Sequence, residues 1–384
     1  MIYGNKKALS NEQINKLIFC NNNVIFNINE RNNCSCSFFL KVISDENVEL
    51  VNLFLNYAKA RDITLNLDEK DDFGRKLFFI AIENDNINII KLLIEYADAN
   101  DFVFNVNEKN KFGNYPFLKS VENGNLELVK LLIQYSKTHE IILNLNDSNN
   151  FGYYPILFAS INNDIDCIKL IIDYANNNDI ILNINKQNKL KSYPLLTTIK
   201  NNNINIMKLL FKYANEHDII VNIDYNDNGN YPILNAIKNN EYEMVEILIN
   251  YAIKHEIILD INDIKDNYDN YCLLEAIEKN DIDMVKLIIE YAKLNEIILN
   301  LTDKNKYKNY PLLGDIERRN LNLTKLLINY ANKQEIILNI NEEDESENFP
   351  LLKATNCSRS EAKMLKLLIK YSKTHEFLLD LNEK

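Results

Sequence analysis

A tyrosine, followed mostly by Ala or Ser, returns along the chain at Tyr57, Tyr96, Tyr135, Tyr174, Tyr213, Tyr251, Tyr291, Tyr330 and Tyr371. The gaps are 39, 39, 39, 39, 38, 40, 39 and 41 residues. A period of this size means repeated supersecondary units that bury their apolar faces only against their neighbours. The spacing gives nine full units from about residue 31 to 384. An N-terminal half repeat lies within 1–30, where Val24 to Asn29 match Ile141 to Asn146. The 384 residues therefore count repeats and read as a single repeat domain, 1–384.

One unit shows the local logic. Pro116 falls where a helix should begin, and Pro suits a first helical position because its missing N–H would have no partner there. All six prolines take this place: Pro116, Pro155, Pro194, Pro232, Pro311 and Pro350. A short apolar helix follows and stops at Asn123-Gly124, or at Asn-Asn pairs such as Asn162-Asn163. The chain has only seven Gly but 66 Asn. Asn tolerates the left-handed conformation of a helix end, so it is expected to supply the missing turn chemistry. A second helix follows, with Leu128, Val129, Leu131, Leu132 and Tyr135 on one face and Lys130, Gln134 and Lys137 opposite. The closing stretch, Ile141 to Asn146, alternates as a short strand or an extended loop does.

These residues resemble the ankyrin repeat family. Leu145-Asn146, Asn149, Gly152 and Tyr153-Tyr154-Pro155 follow the spacing of its V-N-x-x-D-x-x-G-x-T-P segment. The Ile-Leu-Phe-Ala that follows takes the L-H-x-A positions, and residues 128–133 resemble its second-helix signature. The resemblance implies an all-α, helix-turn-helix solenoid. Six residues beyond the family's 33 fall after Leu-Leu-Ile, where 134–140 keep the helical pattern, so a longer second helix is expected. The family's Thr and His are replaced by Tyr and Leu or Phe, and the Tyr ring is expected to pack between units. Leu77, Cys272 and Phe38 stand where Pro is expected, Asp315 replaces a small Ala, and two extra residues fall near Cys357.

Little here suggests catalysis. No nucleotide, hydrolase or metalloprotease motif occurs. His139, His217, His255 and His375 share one phase of the repeat, too far apart to share a metal. Cys20, Cys34 and Cys36 have poor zinc spacing. The acidic run Glu342 to Glu345, with Glu347, reads as a solvated tip. With 43 basic against 55 acidic residues, the formal charge of −12 disfavours nucleic acid. No apolar run is long enough for a membrane span or a signal peptide. The expectation is a non-enzymatic, monomeric, cytoplasmic protein without cofactor or metal that binds another protein.

Comparing units separates scaffold from surface. Three residues after the Pro site the side chain varies: Ile80, Lys119, Phe158, Thr197, Asn235, Glu275, Gly314, Lys353. It is expected to face outward, on what the resemblance makes the concave, partner-holding groove. Phe73, Phe112, Phe151, Tyr268 and Tyr307 mark the turn tips. They are either recognition residues or rings that fold over the next turn and stabilise stacking. The alternatives to a partner-binding scaffold are a structural spacer without a specific ligand and an adaptor subunit of an enzyme complex.

Overall fold

The computed structural model describes residues 37–224, 231–355 and 359–376. The half repeat within 1–30 and Cys20, Cys34, Cys36 and Cys357 lie outside the described residues. Among the described residues there are eighteen helices and no strand. The chain divides into two compact units, residues 1–183 and 184–384. The first holds four helix pairs, from Phe38–Ser44 with Val48–Ala60 to Pro155–Ile161 with Ile165–Asn177. The second holds five, from Pro194–Lys200 with Ile204–Glu216 to Pro350–Lys353 with Arg359–Thr374.

Each element forms for a local reason. Tyr115, before Pro116, is extended (φ −131°, ψ 161°), as a residue preceding proline must be, and the helix Pro116–Glu122 starts at once. It ends after seven residues, where Gly124 turns left-handed. Asn163, Asn202, Asn240 and Asn280 take the same conformation at the same place. Here Asn does supply the turn. Two other left-handed sites in each repeat do not follow that rule, since Asp, Glu or Lys occupies most of them. The second helix is then capped, the Asn125 side chain accepting the Leu128 N–H at 3.1 Å. Leu126–Thr138 runs for thirteen residues, so the helix is extended as the sequence suggests. Leu128, Val129, Leu132, Ile133 and Tyr135 are buried and Lys130, Gln134 and Lys137 exposed.

The closing stretch is an extended loop, and side chains replace strand pairing. Asn107 donates to Ile142 O (2.7 Å) and accepts from Asn144 N–H (2.9 Å), copying the two bonds a neighbouring peptide would make. Asn146 does the same to Ile181 and Asn183 (2.7 and 2.9 Å), and in the second unit Asn262 to Ile298 and Asn300 (2.8 and 3.0 Å). The abundant Asn thus works mainly through its amide.

Two tyrosines complete the join. The repeat Tyr135 accepts the Phe104 N–H through its hydroxyl (2.8 Å), and Tyr291 accepts that of Leu259 (2.8 Å). Tyr115 runs forward, donating to Asn144 O (2.6 Å) with Asp147 O at 3.0 Å. The ring packs fully buried between neighbouring repeats as expected, and the phenol restores hydroxyl bonding at a place where the family's Thr is missing.

Candidate partner-binding surfaces

Every described turn tip is built on one Asx residue. Asn110, largely buried, accepts the N–H groups of Phe112 (2.9 Å) and Asn114 (3.0 Å), an Asx turn that leaves Phe112 at the apex and Gly113 left-handed. Asn149, Asn305, Asp266 and Asp344 hold their own turns the same way. Successive tips are bonded, Asn150 N–H to Phe112 O (2.9 Å) and Lys306 N–H to Tyr268 O (2.9 Å). Asp344 is therefore the base of a turn and not part of a free acidic tip. Burial alone would raise its carboxyl, but the bonds from Asn348 and Ser346 hold it below the ordinary carboxylate range. Glu342 pairs with Lys304 at 2.5 Å.

The tip rings are both stacked and open. Phe73 lies 6.0 Å from Phe112, and Tyr268 5.9 Å from Tyr307, with rings nearly parallel. The Arg75 guanidinium sits 5.2 Å from the Phe73 ring centre. Yet Phe73, Phe112, Phe151, Tyr268 and Tyr307 all remain about half exposed, between 45% and 57%. Phe73, Phe112, Tyr268 and Tyr307 thus stack on a neighbour while keeping about half their surface open to solvent.

Gly113 is a close approach. A Cβ there would stand 2.9 Å from Asn150 N and 3.0 Å from Asn149 Cα, whereas at Gly74 the nearest atom would be 3.4 Å away. Gly113→Ala should therefore cost about 1–3 kcal/mol, strain at positive φ included, and Gly74→Ala distinctly less. Urea titration of the two variants checks this order.

The variable row of the first helix does not face outward throughout. Ile80, Phe158, Thr197, Glu275 and Gly314 are buried, and only Lys119, Asn235 and Lys353 are half-exposed. At Phe158, Glu275 and Gly314 the cause lies five residues upstream, in the side chain just before the Tyr that precedes the helix. Tyr153 stacks on Phe158 at 4.7 Å, Asn270 donates to Glu275 at 3.2 Å, and Asn309 occupies the space over Gly314. Variation here follows the covering residue, so it was no sign of exposure. Thr197 bonds back to Tyr193 O (3.0 Å), Asn235 donates to Tyr231 O (2.9 Å), and Lys119 and Lys353 pair with Glu122 and Glu317.

The histidines end second helices, each ring against its own repeat Tyr, as His139 on Tyr135 at 4.2 Å and His255 on Tyr251 at 4.1 Å. His139 also reaches Asp98 at 3.2 Å. Cys167 and Cys272 are buried, and burial pushes both thiols up to about 12. Among the described residues, no group of three His, Cys, Asp or Glu is placed to hold a metal ion, and no helix is long and apolar enough to cross a membrane. One surface escaped the sequence reading: the β-branched row that includes Val103, Ile142 and Ile258, all exposed. The alternation Ile-Leu-Asn-Leu, with Leu143 and Leu145 inward, held the signal for it.

Helix pairs of nearly constant length, about seven and thirteen residues except in the last pair, joined through turns and side-chain ladders, define a helix-turn-helix repeat protein. The family model for ankyrin repeats, spanning three copies, matches residues 99–181 and 177–258. Residues 99–258 thus match the ankyrin repeat family, whose repeats are protein-interaction modules as a class. Among solved structures, the ankyrin repeat domain of Bcl-3, described as a unique member of the IkappaB protein family, is 16% identical. That match covers 67% of this chain and 99% of that one, with a TM-score of 0.45. No curated protein matches the sequence.

Proposed function

We propose that residues 1–384 form one repeat domain that acts as a non-enzymatic scaffold, holding another protein along its turn tips and the groove they border. The observation that carries this reading is the row of tip rings, ordered by Asx turns yet about half exposed. Rigid, half-desolvated aromatics lose little entropy on binding and serve as anchors. Lys119, Asn235 and Lys353 reach the surface beside them and supply polar contacts, while Phe158, Thr197 and Glu275 act from beneath by shaping the turn. The scaffold works as a cytoplasmic monomer and needs no cofactor or metal. Its charge of −12 suits a protein partner better than nucleic acid or an anionic membrane.

The stacking of Phe73 on Phe112 also favours the spacer reading, in which the rings only stiffen the array. A pull-down from the source organism separates the two. Phe73→Ala/Phe112→Ala/Phe151→Ala should lose at least tenfold in partner recovery while keeping its helical signal. Equal recovery by wild type and variant would sink the tip assignment.

A further inference from the structure

The residue two positions after each second helix (three after Ile87–Asp98) is left-handed, with φ between 52° and 58°, and in all nine described repeats it is Asp or Glu. Two physical preferences oppose that choice. Gly or Asn fits this backbone best, and the negative end of the helix dipole disfavours a carboxylate. The chain has 66 Asn and uses several at the equivalent place after the first helix, but none here. Asp62, Asp101 and Asp179 alternate with Glu140 and Glu256, so length varies and charge does not.

These carboxylates are exposed and unpaired, even with Lys137 and Lys293 in the preceding helical turns. Other surface acids of the same array do pair from repeat to repeat, as Glu127 with Lys91 (3.2 Å) and Asp147 with Lys109 (2.9 Å). Two residues beyond each carboxylate from Asp101 to Glu335 stands an exposed apolar side chain, from Val103 to Ile337, whereas Thr64 takes that place after Asp62. Ile142 and Ile181 in the first unit and Ile258 and Ile298 in the second are 53% to 70% exposed. The Asn107 and Asn146 ladders fix successive segments beside one another in the first unit, so these side chains form a row in register. Single exposed apolar residues are ordinary, but an ordered row marks an interaction surface.

We propose that this paired row is a second docking surface, distinct from the turn tips, for a basic polypeptide segment that carries apolar side chains. Charge complementarity selects the occupant: the carboxylates attract Lys or Arg while the β-branched row takes the apolar contacts. Nucleic acid and anionic lipid are repelled by the same charges.

The test uses the full chain and a fluorescein-labelled dodecapeptide of alternating Lys and Leu, followed by anisotropy. Asp101→Asn/Glu140→Gln/Asp179→Asn and Val103→Ser/Ile142→Ser/Ile181→Ser should each weaken binding at least tenfold. A control that removes three other exposed carboxylates, Glu95→Gln/Glu127→Gln/Asp166→Asn, should change it less than twofold. The tip variant Phe73→Ala/Phe112→Ala/Phe151→Ala should bind the peptide as wild type does, which keeps this surface separable from the first. The carboxylate variant should also melt no lower than wild type, because amides suit the left-handed backbone. An equal loss in the control, no loss in the serine variant, or a lower melting temperature for the carboxylate variant overturns the proposal.

Discussion

Asp315→Ala should stabilise the protein at pH 9 by about 3–5 kcal/mol and leave it within about 1 kcal/mol of wild type near pH 4. Asp315 lies in the first helix Pro311–Glu317, fully buried, where other repeats place Ala81, Ala159, Ala236 and Ala276. Neither carboxyl oxygen has a hydrogen-bond partner. The nearby Thr324 hydroxyl bonds to Asn320 O (3.1 Å) and faces Met364 Sδ (3.0 Å), so it helps the carboxylate only weakly. Burial pushes the Asp315 carboxyl up to about 8, against a small opposing pull from Thr324. The direction of the pH effect follows. The folded state keeps a proton that the unfolded chain releases near pH 4, so the contribution to stability is whole below that value. It is lost progressively as pH rises to about 8 and stays lost above. Urea titrations of wild type and variant at pH 4, 7 and 9 check it, and parallel curves at all three would contradict the assignment.

Tyr115→Ala should destabilise the chain by about 3–5 kcal/mol, and Tyr115→Phe by about 1–3 kcal/mol. The ring is fully buried between repeats, so truncation leaves a cavity that the flanking helices cannot fill without moving. The Phe variant keeps the ring but strips Asn144 O and Asp147 O of their donor. Because each repeat contacts only its neighbours, the loss should appear locally. Amide exchange should accelerate around residues 141–147 in the Phe variant and leave Asn183 and beyond unchanged. Chemical denaturation with exchange mass spectrometry measures both effects. A Phe variant as stable as wild type would show that the hydroxyl bonds carry no net weight.

Most of the architecture was legible in the sequence because it is periodic and uses strong local punctuation. Pro116 and its five counterparts begin helices where expected, and the second helix runs on past Leu-Leu-Ile to Thr138, stopping short of His139 and Glu140, which cap and turn it. What was illegible depends on contacts at long sequence distance. Nothing local says that Asn107 bonds to a peptide 35 residues away, or that Tyr135 serves Phe104. The largest misreading concerned Phe158 and Glu275. Variability usually marks a surface, but here Tyr153 and Asn270 change with the residue they cover, and both members stay buried or nearly so. The tips were read correctly as positions, and whether their rings stack or stay open had no single answer, since they do both.

The most direct measurement of the central claim is hydrogen exchange of the full chain, alone and with the partner recovered by pull-down. Binding through the tips predicts slowed exchange at residues 71–75, 110–114, 149–153 and 305–309, with the outer faces of the second helices unchanged. Protection confined to those helices, with the tips exchanging as freely as before, would contradict it.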